Sequence, residues 1–68
     1  MNSFSVFIKS VRLKNNMSLR RVKIESGLPI NYLEELENQF ENPPSLEILL
    51  KLCPAYNISV QKILKNCK

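Results

Sequence analysis

The chain has 68 residues, enough for one small domain that buries only about 60% of its unfolded surface and so has a thin core. Its 44% hydrophobic content, with one glycine, four prolines and no low-complexity run, is that of a folded domain and not of a disordered tail. Its longest apolar runs, Val6 to Ile8 and Ile48 to Leu50, are three residues each, which excludes a membrane span, and no secretion signal is evident; the expected location is the cytoplasm.

From Phe4 to Lys14 the apolar residues Phe4, Phe7, Ile8 and Val11 fall on one helical face, with Ser3 placed to cap the start. Asn15 and Asn16 stop this helix, because asparagine tolerates the left-handed conformation that ends helices. Met17 follows as linker. Ser18 then caps a second helix, residues 18–26, whose inward side chains are Leu19, Val22 and Ser26, and Gly27 ends it.

Pro29 is favoured in a first turn, where its missing N–H has no partner to lose, and starts a third helix over residues 29–38. Leu33, Leu36 and Phe40 mark its core side, and at about 100° per residue Asn31, Glu34, Glu35 and Asn38 point outward. The double proline of "ENPPS" is extended, and Ser45 caps a fourth helix, residues 45–53, with Leu46, Leu49, Leu50 and Cys53 facing in. Pro54 is expected to end or kink it near Leu52. Ser59 caps the last helix, residues 59–66, with Val60, Ile63 and Leu64 as its stripe. No segment alternates at period two for long enough to form a strand. The expected fold is all-α, five short helices in one compact domain spanning residues 1–68.

Charge is distributed in three blocks around a net +4. Residues 1–24 carry Lys9, Arg12, Lys14, Arg20, Arg21 and Lys23 and no acid. Residues 25–50 carry Glu25, Glu34, Glu35, Glu37, Glu41 and Glu47 and no base, and residues 51–68 return to four lysines. A basic balance is weakly associated with nucleic acid or anionic surfaces. The chain has no histidine, which removes the commonest general base and the usual activator of a nucleophilic serine or cysteine. Cys53 and Cys67 alone do not make a zinc site; they are expected to be reduced thiols, with Cys53 in the core. No enzyme activity, cofactor, metal or small-molecule substrate is expected.

The residues "SLRRVKIESGLPINYLEELEN", followed by "NPPSLEILLKLCPAYNISVQKIL", resemble the Cro/XRE-type, lambda-repressor-like DNA-binding domains. Gly27 in the turn, Leu33 and Leu36 at two buried positions, the "LEN" at 36–38 and the last two helices carry the resemblance, which runs from about Phe4 to Leu64. It implies a helix-turn-helix formed by helices 2 and 3, with helix 3 in the major groove of double-stranded DNA, and a sequence-specific transcriptional regulator that binds as a homodimer. It also implies a structural salt bridge between Arg12 and Glu37, in which bidentate geometry favours arginine.

The DNA-facing residues implied are Arg20, Arg21, Lys23, Pro29, Ile30, Asn31, Glu34, Glu35, Asn38 and Gln39. Arg20, Arg21 and Lys23, with backbone N–H groups at the starts of helices 2 to 4, would grip phosphates. Asn31 can read adenine, and a glutamate can accept from cytosine. This chain departs from the family at Leu19, where a phosphate-gripping glutamine is usual, at Lys23, where a small residue is usual, and at Pro29, where serine or threonine is usual. Ile58, Val60, Ile63, Leu64 and Tyr56 are candidates for a dimer surface, the alternative being that they only close the small core. The alternative function is a protein-interaction module that keeps this fold and binds a protein partner through the acidic face of helix 3.

Overall fold

The computed structural model describes residues 4–40 and 42–65. Five helices follow in order: α1 (Phe4–Lys14), α2 (Leu19–Ser26), α3 (Ile30–Leu36), α4 (Leu46–Ala55) and α5 (Val60–Lys65). There is no strand among the described residues.

Each helix is punctuated by the chemistry of its ends. Ser18 and Ser45 cap α2 and α4 by accepting from the N–H groups of Arg21 and Ile48, and Ser59 does the same for α5 through the N–H of Lys62. Ser3 lies outside the described residues, as does position 66. α1 ends with Asn16 left-handed (φ 55°), the Asn16 N–H donating to the Leu13 carbonyl and the Met17 N–H to that of Arg12. α4 ends the same way: Asn57 has φ 56°, and the N–H groups of Asn57 and Ile58 donate to the carbonyls of Pro54 and Cys53. These paired bonds satisfy carbonyls that a helix end leaves orphaned.

α4 is the hub, packing against both α2 and α5, while α2 also packs on α3. Ile8, Val22, Leu33, Leu36, Leu52, Tyr56 and Ile63 are fully buried, one or more from every helix or its end. Each such aliphatic side chain contributes about 1.5–3 kcal/mol on burial, which is how a thin core holds five short helices. Cys53 is a buried free thiol whose pKa burial pushes up; Cys67 lies outside the described residues.

The structure corrects the sequence reading at several points. Met17 is no mere linker: the turn after α1 folds it into the core. α3 ends at Leu36, two residues short: the Glu37 N–H still donates to the Leu33 carbonyl, but that of Asn38 donates to the Glu35 carbonyl, three residues back, so Asn38 and Phe40 follow the helix instead of belonging to it. α4 continues through Pro54 to Ala55. Pro54 is exposed, so the one bond it forfeits, to the Leu50 carbonyl, lies on the solvent side, and the Tyr56 N–H to Leu52 carbonyl bond (2.8 Å) carries the last turn past it. α4 also faces otherwise than expected: Leu49, Leu52 and Cys53 are buried, whereas Leu46 and Leu50 are more than half exposed. Tyr56 is fully buried and unavailable to a dimer surface, as is Ile63.

Candidate nucleic-acid interface

The turn between α2 and α3 sets their relation. Gly27 has φ 75°, a left-handed conformation that costs an L-residue about 1–2 kcal/mol. Its N–H donates to the Lys23 carbonyl at 2.9 Å, and the Ser26 hydroxyl accepts from the Leu28 N–H at 3.2 Å. Leu28 is thereby pulled into the core, and Pro29, extended at φ −62° and ψ 147°, launches α3 with no side-chain cap.

α3 is then fixed from behind and at its end. Leu33 and Leu36 are fully buried beneath it. Just past it, the Glu37 carboxylate is held by two helices at once. The Arg12 Nε–H is shared between Oε1 (3.0 Å) and Oε2 (2.8 Å), and the Tyr56 hydroxyl donates to Oε2 at 2.7 Å. In place of the parallel two-pronged fork expected, one Nε–H serves both oxygens, and Nη1 donates to the Met17 carbonyl at 2.8 Å. Burial first, and then the bond to and charge of Glu37, push the Tyr56 phenol well above its ordinary pKa, against the lowering effect of Arg12.

A second clamp comes from Ser5, which is buried in α1. Its hydroxyl donates to the Leu36 carbonyl (2.6 Å) and accepts from the Phe40 N–H (2.7 Å), while its own N–H donates to the Phe40 carbonyl (2.8 Å). Tyr32 and Phe40 meet edge to face, with ring centroids 5.9 Å apart. Burial, then the charge of Glu35, raise the Tyr32 pKa. Sequence reasoning missed Ser5 and the role of Tyr56.

With its back anchored, α3 turns one face to solvent. Asn31, Glu34, Glu35 and Asn38 are all exposed, as are Pro29 and Gln39, while Ile30 is half-buried. The Asn38 side-chain amide donates one of its two hydrogens to the Glu34 carbonyl at 2.6 Å. Neither Glu34 nor Glu35 is ion-paired among the described residues.

α2 supplies the cations beside this face. Arg20, Arg21 and Lys23 are exposed. Arg21 reaches Glu25 at 3.6 Å, one turn along α2, with both side chains solvated, a pairing worth little in water. Arg20 and Lys23 form no ion pair among the described residues. Leu19 is half-buried against the core, so it serves packing where a phosphate-binding side chain would be exposed. Lys23 points to solvent, and α2 and α3 pack with its long side chain outside the contact.

Among the described residues no group of three or more cysteine, aspartate or glutamate side chains gathers to hold a metal, and no helix is long and apolar enough to cross a membrane.

A family model described as helix-turn-helix, HTH_3, matches residues 8–63. Two solved structures share the architecture. The clp gene regulator ClgR from C. glutamicum is 28% identical, with a TM-score of 0.77 over 93% of this chain and 80% of that one. The restriction-modification controller protein C.Esp1396I is 19% identical, with a TM-score of 0.77 over 91% of this chain and 79% of that one. No curated protein sequence matches.

Proposed function

The chain belongs to the helix-turn-helix family HTH_3, as a DNA-binding transcription regulator and not an enzyme, and on that premise we propose that it is a sequence-specific regulator that lays α3 in the major groove. The observation that carries this reading is the pairing of an exposed α3 face, backed by the core, with the exposed cations Arg20 and Lys23 on α2, which form no ion pair among the described residues. In this reading Arg20, Arg21 and Lys23 hold phosphates. Pro29, Ile30, Asn31, Glu34, Glu35, Asn38 and Gln39 border the bases, and Arg12, Gly27 and Glu37 hold the scaffold. Residues 1–68 act as one domain in the cytoplasm.

Two half-sites about one helical turn apart call for a homodimer. Val60 (38% exposed) and Leu64 (45% exposed) on α5 are the apolar side chains offered for it, since Tyr56 and Ile63 are spent on the core. ClgR is described as a gene regulator and C.Esp1396I as a controller protein, activities that agree with this reading.

One observation favours a second reading. The α3 face carries two carboxylates that form no ion pair among the described residues and no cation, which suits a basic protein surface as well as a base edge. Charge reversal at Arg20 tests the phosphate contacts that the DNA reading requires. As a phosphate contact, Arg20→Glu should weaken binding to all duplexes alike and flatten the dependence of affinity on salt. DNA binding that is unchanged in that variant would remove Arg20 from the interface.

A further inference from the structure

We infer that Glu34 and Glu35 make α3 a reader of hydrogen-bond donors, so that the bound half-site contains one or two C·G pairs with cytosine turned toward these carboxylates. The inference rests on α3 being the base-contacting helix, as proposed above.

The reasoning starts from what the face offers. At about 100° per residue, Asn31, Glu34 and Glu35 lie within one exposed third of the helix, opposite Leu33 and Leu36. Asn38, two residues past the end of α3, is exposed as well, and one of its two amide hydrogens is held by the Glu34 carbonyl. An ionised carboxylate only accepts hydrogen bonds. The last turn of α3 therefore presents acceptors in Glu34 and Glu35, and Asn31 is the one amide on the helix able to give as well as take.

The bases answer this unequally. In the major groove cytosine offers its N4 amino hydrogen, while guanine offers the acceptors N7 and O6, and thymine offers the acceptor O4 with a methyl group. Adenine has a donor at N6 but an acceptor at N7 beside it, an arrangement that suits an amide such as Asn31 and repels a carboxylate. The same carboxylates repel phosphate, and no lysine or arginine occurs from Glu25 to Leu50 to offset them. Wrong sites are thus opposed by unanswered acceptors and by charge, and the correct site is opposed by charge alone.

The test uses the duplex that the wild-type protein enriches from a random pool. Each cytosine in it is replaced in turn by N4-methylcytosine, which keeps its Watson–Crick pair while placing a methyl group where the groove-facing amino hydrogen stood. The expected result is a loss of at least about tenfold in affinity at one or two cytosines, with little effect at the others. Glu34→Gln and Glu35→Gln should each relax one of those positions toward adenine and strengthen binding to unrelated duplexes. Both side chains are exposed and form no ion pair among the described residues, and the Asn38 bond is to backbone, so the variants should keep the fold. If the wild type enriches a site yet neither N4-methylation nor these variants changes the preference, the inference is overturned while the DNA reading stands. If the folded wild type binds no duplex, the DNA reading itself fails.

Discussion

The Nε–H of Arg12 in α1 is shared by both oxygens of the Glu37 carboxylate, 25 residues away and immediately after α3, at 3.0 and 2.8 Å. The Glu37 side chain is 2% exposed and that of Arg12 13%. The pair therefore links the first helix to the end of the outward-facing one, in surroundings from which water is largely excluded.

Removing one partner from such a pair leaves a buried charge uncompensated. Arg12→Ala should destabilise the protein by about 3–5 kcal/mol, enough to leave a domain of this size largely unfolded. Arg12→Lys should recover part of this loss, because an ammonium can reach the carboxylate or the Met17 carbonyl but lacks the planar fork that reaches both. Urea denaturation of the three proteins checks the order.

Tyr56→Phe keeps the ring and deletes only the hydroxyl that donates to Glu37. The expected cost is about 1.5–3 kcal/mol, the range for a hydrogen bond to a charged group. The same variant has a signature in alkali. The folded pKa of Tyr56 is raised above its ordinary value, so above about pH 10 the unfolded chain loses this proton while the native state keeps it. The unfolded state then binds fewer protons, and stability falls as pH rises, by about 1.4 kcal/mol per pH unit while the difference lasts. Denaturation midpoints should drop above about pH 10 in the wild type and drop less in Tyr56→Phe.

At Gly27 the cost of a side chain is purely conformational. A Cβ there would meet nothing within 4 Å, yet φ is 75°. Gly27→Ala should cost about 1–2 kcal/mol, and Gly27→Asn less, since asparagine adopts this conformation more readily. Thermal melts of the two variants decide it, and equal losses would point to a contact instead of backbone strain.

Ser5→Ala removes both hydroxyl bonds of the clamp on the end of α3. A loss of about 1–3 kcal/mol is expected, since the Phe40 N–H loses its partner. Hydrogen exchange should show the Phe40 amide among the most accelerated sites.

How much of this was legible in the sequence depended on whether a local signal existed. Ser18, Gly27, Ser45 and Ser59 are local signals, and they placed helix ends to within a residue or two. Leu33 and Leu36 fixed the buried side of α3, and from them its exposed side followed. "LEILLKLC" is apolar nearly all round, so periodicity alone did not tell Leu46 and Leu50, which are exposed, from Leu52, which is buried. Met17 and Tyr56 sit in short connections without periodicity, and only the tertiary arrangement brings them inside. The Arg12–Glu37 contact spans 25 residues, and no spacing rule reaches so far; the family resemblance suggested it, whereas Tyr56 as a third member had no comparable sign.

The most direct test of the account is selection of bound duplexes from a random DNA pool by the purified, folded protein, with the enriched sequence re-measured at two salt concentrations. The account predicts enrichment of a short palindromic site whose half-sites lie about one helical turn apart and whose affinity falls as salt rises. No enrichment even at low salt would contradict it, and would assign the acidic face of α3 to a protein partner.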